Sequence, residues 1–121
     1  RGEELLICQR RAGTRHALRW EFPGGKVEAG ESAEAGLARE LYEELGVLAR
    51  VGAKLCGIEH RYPGGPEVRL LFFRVLEYAG EPRNLTFERI AWVRPEALVP
   101  EEFLEADRVF VQALRRGEIR P

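Results

Sequence analysis

Residues 39 to 44 read Arg-Glu-Leu-Tyr-Glu-Glu, three carboxylates on little more than one turn of any helix that holds them. A helix is what the flanks dictate. Ser32 offers an N-cap, Glu34 falls in the first turn where the helix dipole favours an acid, and Gly46 is the residue type favoured just past a C-cap. The helix is therefore predicted to end at Leu45. At about 100° per residue, with Glu40 at zero, Glu43 falls at about 300° and Glu44 at about 40°. Leu37, Leu41 and Leu45 follow at about 60°, 100° and 140°, with Ala38 beyond them. The helix must bury a leucine face and show an acidic face beside it.

Like charges packed so closely repel and lower helix stability. Gly36, at about 320° within the acidic stripe, costs roughly 1 kcal/mol against alanine and so points to a demand for space. Arg39, one residue before Glu40 and four before Glu43, is a rigid fork of donors suited to pin a carboxylate. A solvated face with i,i+4 pairing is the ordinary explanation of such charges. A divalent cation is the chemical one: Mg²⁺ takes hard carboxylate oxygens together with substrate phosphate oxygens, and Mn²⁺ is the alternative.

At 121 residues the chain is about one domain. A net charge of -1 gives no global attraction to nucleic acid or membrane, so charge must act locally. No apolar stretch approaches the ~20 residues of a transmembrane helix, and no signal-peptide pattern is present. Cys8 and Cys56 lie in apolar strand-like runs without a partner at metal spacing. They read as buried reduced thiols, which fits a cytoplasmic protein. The sequence contains no Met, and Arg1 is read as a trimmed start, short by up to one strand.

Along the chain, Glu4 to Gln9 suits a buried strand, and Arg10 to Arg19 a basic loop. Trp20 to Phe22 is a brief aromatic strand halted by Pro23-Gly24-Gly25. Strands are predicted over Val51 to Glu59, Val68 to Val75 and Ile90 to Val93, the second too apolar to keep one face in water throughout. Pro95 to Leu98 opens a helical turn. A last helix over Ala106 to Arg116 carries an apolar stripe of Val109, Phe110, Ala113 and Leu114. This is one α/β domain with a mixed sheet and two main helices.

Gly25, Glu31, Arg39, Glu40, Leu41, Glu43, Glu44, Gly46 and Val47 match, residue for residue, the Nudix box G-x5-E-x7-R-E-U-x-E-E-x-G-U, where U is bulky and apolar. With each fixed Gly, Glu or Arg at roughly 6% usage, seven such matches arise by chance about once in 10⁸ starting points. The stretch from Trp20 to Glu28, Arg10-Arg11, Leu70 to Val75, Trp92-Val93 and Phe103 to Asp107 also resemble the MutT branch of that family. The resemblance implies an α/β/α sandwich around a mixed sheet, with a further strand ahead of Glu4.

It also implies Mg²⁺-dependent hydrolysis of a nucleoside diphosphate linked to another group, by water attack at phosphorus. The MutT-like form of that reaction converts a nucleoside triphosphate to a monophosphate and pyrophosphate. Glu40, Glu43 and Glu44 are then the metal ligands, with the Gly24 carbonyl as a backbone ligand; Glu44 is the most essential, and Arg39 completes the catalytic set. Glu31 either orients Arg39 or water, or ligates directly. The branch has a further glutamate where this chain has Thr86, with Glu88 the nearest acid.

Arg10, Arg11 and Lys26 are candidates for the nucleotide phosphates and Phe22 for stacking on the base, against exposed charge and core aromatic as the plainer readings. At the position of Asp107 the branch that clears oxidised guanine nucleotides has asparagine. An ionised Asp only accepts hydrogen bonds, so it suits a cytosine amino group or the guanine N1/N2 edge; the alternative is an N-cap of the last helix. Two substrates follow, oxidised dGTP or a cytidine-type triphosphate. The rivals are a hydrolase of ADP-ribose or another nucleotide sugar, and a non-catalytic nucleotide- or lesion-binding module. The partner expected is a small nucleotide, with no stable nucleic-acid or membrane binding; oligomeric state is not readable.

Overall fold

Ser32 does begin a helix. Its hydroxyl accepts the Ala35 N–H at 3.1 Å, and α1 runs Ala33–Leu45, where Gly46 turns left-handed at φ 70 and returns its N–H to the Tyr42 carbonyl. A computed structural model describes Arg1–Pro121. The strands are β1 Leu5–Gln9, β2 Trp20–Glu21, β3 Leu48–Arg61, β4 Glu67–Ala79 and β5 Arg89–Val93. Three short 3-10 turns, at Pro95–Ala97, Pro100–Glu102 and Glu105–Asp107, lead into α2 Arg108–Arg115. The predicted strands are all present, with β3 and β4 longer than their apolar segments because pairing across their own hairpin carries both beyond the core.

The strands form two sheets, one in the order β2-β1-β5 and the other the β3-β4 hairpin. Every strand pairing is antiparallel, and the parallel component is the isolated bridge between Trp20 and Phe103. β1 divides the interior because successive side chains point to opposite faces. Ile7 joins Leu98, Phe103, Phe110, Val111 and Leu114 beneath α2, whereas Cys8 joins Leu41, Leu45, Val47 and Phe87 beneath α1. Helices thus cover both faces of the central strands, as expected of the α/β/α class.

Two expectations need correction. Val109 is 65% exposed and leaves the buried stripe of α2, which consists of Phe110, Val111 and Leu114. These continue from the equally buried Asp107 at i, i+3, i+4 and i+7, so an acid, not an apolar residue, heads the stripe. Both cysteines are free, but only Cys8 is fully buried; Cys56, on the hairpin, is half-buried.

Candidate active site

The charged corner is built on the contact between α1 and the loop from Phe22 to Glu31. Arg39 organises it. Its Nε and one terminal nitrogen hold Glu31 in a two-pronged pair at 3.1 and 2.9 Å. The other terminal nitrogen reaches Glu40 at 3.0 Å and Glu43 at 3.2 Å, while the Lys26 carbonyl takes a further N–H. Bidentate, charge-assisted bonds of this kind set geometry as well as energy. They hold the Glu31 carboxyl below the usual range, helped by the Glu28 N–H, and keep the guanidinium charged. Of the two roles open to Glu31, the structure displays the orientation of Arg39.

The glycines explain themselves by what lies against them. A Cβ at Gly25 would stand 2.6 Å from the Glu40 carboxyl carbon, so the acid packs directly on bare backbone. A Cβ at Gly36 would stand 2.9 Å from a Glu31 oxygen, so the space demanded on α1 is filled by Glu31.

Glu44 takes no bond from Arg39. Its Oε1 accepts the Gly24 N–H at 3.0 Å. Burial pushes the carboxyl up to about 7; the Gly24 N–H opposes that, and the charges of Glu40, Glu21 and Glu43 add to it. Glu21 is the acid beside this corner that sequence reasoning passed over as a site candidate. It sits on β2 opposite Cys8, bonded to Arg10 at 3.2 Å, and burial raises its carboxyl too. Its signal was an acid between two aromatic residues on a strand, which period-2 alternation turns away from Trp20 and Phe22.

Next to this corner lies a cavity of about 910 Å³, lined by Arg10, Glu21, Phe22, Gly24, Gly25, Lys26 and Asp107 among others. Asp107 is 5% exposed. It occupies the N-cap position of α2 but makes no side-chain cap bond, so the capping alternative fails. Burial pushes its carboxyl up to about 7, and the charge of Glu21 adds to the shift. Phe22 lines the same cavity and also packs on Phe103, Phe110 and Phe72 at ring distances of 5.5, 5.2 and 5.9 Å.

Not every candidate gathers there. Arg11 donates to the Thr86 carbonyl at 2.7 Å and is not among the cavity's lining residues. Glu88 accepts the Ala12 N–H at 3.2 Å, so the acid closest in sequence to Thr86 is spent on a loop backbone, while Glu21 brings an additional charge to Glu44.

The donor set fits a hard divalent cation in kind, being carboxylates that share one helical face and repel one another. No three acids converge on a common point, because Glu40 and Glu43 lean on Arg39 and Glu44 on Gly24.

Residues 1–114 match the NUDIX domain family. The chain belongs to that family. A Nudix relative from Haemophilus influenzae, 8-oxo-dGTP diphosphatase, is 34% identical over 111 residues, 92% of this chain and 81% of that protein. CTP pyrophosphohydrolase of Escherichia coli is 34% identical over 113 residues, 93% of this chain and 83% of that one. Among solved structures, the solution structure of the E. coli ORF135 protein superposes with a TM-score of 0.82 at 32% identity, covering 98% of this chain and 84% of that chain. The Nudix α/β fold is thereby shown, and the box residues read in the sequence are those that frame the charged corner.

Proposed function

We propose that this Nudix protein hydrolyses a nucleoside triphosphate to the monophosphate and pyrophosphate, in the MutT manner, with Mg²⁺ or Mn²⁺ as cofactor. The observation that carries the reading is the juxtaposition of Glu40 and Glu44, seated on the Gly24-Gly25 backbone, with a cavity that those glycines and the buried acid Asp107 line together. Glu40, Glu43, Glu44 and the Gly24 carbonyl would hold the cation, which supplies neutralisation of phosphate charge and activation of water. Arg39 keeps Glu40 and Glu43 in place. In the metal-free protein Glu44 is raised to about 7, and the cation it would help to hold would keep it ionised. Arg10 and Lys26 line the cavity with positive charge for the phosphates, and Phe22 presents an aromatic wall to the base.

Asp107 makes the base selective in a pH-dependent way. Protonated, its carboxyl offers a donor and an acceptor; ionised, it only accepts. The two relatives, one named for 8-oxo-dGTP and one for CTP, support keeping both substrates open. A pyrophosphate-release screen over canonical and oxidised (d)NTPs and nucleotide sugars, with Mg²⁺ or Mn²⁺, tests the assignment. Turnover of a triphosphate with pyrophosphate as product supports it. Turnover of nucleotide sugars alone would move the chain to another Nudix class, and no turnover of any compound would overturn the enzymatic reading.

A further inference from the structure

The loop from Arg10 to Arg19, which carries Arg10, Arg11, Arg15 and Arg19, includes two left-handed residues that are not glycine. His16 stands at φ 58 and Leu18 at φ 63. A residue with a Cβ takes that conformation only where its surroundings hold it there. Leu18 is 49% exposed, so packing is not what holds it. Its backbone bonds are. The Leu18 N–H goes to the Arg10 carbonyl at 3.1 Å, and the Leu18 carbonyl accepts Nε2 of Gln9 at 3.1 Å.

Three side chains hydrogen-bond into this loop from outside it, those of Glu21, Glu88 and Gln9, and of these Gln9 alone is buried. It ends β1, opposite Trp20 on β2 and Arg89 on β5. Its Oε1 accepts Arg89 Nε at 3.0 Å, and the Arg89 guanidinium lies 5.5 Å over the Trp20 ring. A carbonyl on one side and a guanidinium on the other admit a single orientation of the amide. A carboxylate in its place would lose the donor, and a methionine would lose both bonds. The group at the far end of this chain is Arg10. Its backbone pairs with Leu18 and Arg19, its guanidinium meets Glu21 at 3.2 Å, and it lines the polar end of the cavity.

We propose that Gln9 is a positioning residue for phosphate binding: its buried amide locks Leu18 in the left-handed turn and, through the backbone pair of Leu18 with Arg10, fixes Arg10 at the cavity wall. Gln9 touches no substrate. Arg89 is the second part of the device, because it orients the amide that reaches Leu18. The inference rests on the phosphate-binding role proposed for Arg10, whereas the link from Gln9 to Leu18 stands in the free protein and is read without any substrate.

Gln9→Met keeps the shape of the side chain and removes both of its bonds. In that variant the Leu18 Cα and Cβ resonances leave their left-handed values. Affinity for inorganic tripolyphosphate with Mg²⁺, measured by calorimetry, falls about tenfold, and KM for a triphosphate rises to match while kcat stays within about twofold. Arg89→Leu, which leaves the bond to Leu18 in place, weakens tripolyphosphate binding by about threefold. The decisive arm adds Leu18→Gly to Gln9→Met. Glycine takes φ 63 without strain, so affinity and KM return to within about threefold of the parent. Unchanged Leu18 resonances and tripolyphosphate affinity in Gln9→Met overturn the proposal. So does a loss of kcat with KM intact, or a double variant no better than Gln9→Met. A parent chain that neither binds tripolyphosphate nor turns over a triphosphate overturns the reading of the site instead, and the Leu18 resonances still decide whether Gln9 holds the loop.

Discussion

Arg39 and Asp107 are both central to their surroundings, and they are satisfied in opposite ways. Arg39 is about a quarter exposed and spends its donors on Glu31, Glu40, Glu43 and the Lys26 carbonyl. Asp107 is 5% exposed, heads an apolar stripe, and has a neighbouring acid instead of a cation. The first arrangement fixes carboxylates in place before any ligand arrives. The second leaves a polar group unmatched at a cavity wall, a condition costly in the free protein and useful when a base supplies the missing partner. Under the proposed function, reaction and selectivity would be built from opposite electrostatic conditions in one small domain.

The comparison is broken most severely at Glu44. Glu44→Gln is expected to lower kcat by about 10²–10⁴-fold, the range of a group that handles a proton or an activated water, while circular dichroism shows an unchanged fold. Retained turnover would remove Glu44 from the site. Gly25→Ala comes next. Its Cβ displaces the Glu40 carboxyl, and a misplacement of that size costs about 10²-fold in kcat/KM with little change in melting temperature, since the clash is with a side-chain end. A large loss of stability with intact kcat/KM would mean that the glycine serves the loop.

Asp107→Asn sharpens the other half. The ratio of kcat/KM for oxidised dGTP to that for CTP depends on pH through about 7 in the parent chain and becomes flat in the variant, with a change of about tenfold expected between the two limits. An unaltered, still pH-dependent ratio would place the selecting group elsewhere. Stability gives a smaller, independent signal with a definite sign. Because the folded carboxyl sits above its unfolded value of 3.8, the folded state binds the proton more tightly, and Asp107 costs stability progressively as pH rises from about 4 to about 7. Asp107→Asn should therefore match the parent near pH 4 and exceed it above pH 7, by at most about 4 kcal/mol, in denaturant titrations at the two pH values. Val109→Ala, on the exposed side of α2, should change neither activity nor stability by more than about 0.5 kcal/mol equivalent.

Legibility in the sequence followed the distance over which each contact acts. The acidic face of α1, its caps and the demand for space at Gly36 all lie on one short helix, so spacing alone exposed them, whereas the Glu31 carboxylate that fills the space came only with packing. Gly25 and Glu40 were readable as a pattern, although only packing shows that the acid needs the bare backbone. Glu21 escaped because its charge acts on Glu44 of α1 and on Asp107 at the head of α2, both far from it in the chain. Asp107 was singled out, but its place at the head of the buried stripe of α2 was hidden by assigning that stripe to Val109. The division of the strands into two sheets had no local signal, since an edge becomes visible only when its neighbour fails to appear beside it.

One further consequence belongs to the guanidinium of Arg39. Proteins that gather acids around a metal commonly unravel when a chelator takes the ion away, because the folded state is left with bare repulsion. Here the chain carries its own counter-ion. Stripping divalent cations should silence the protein without melting it, leaving an intact reserve that resumes work when the ion returns.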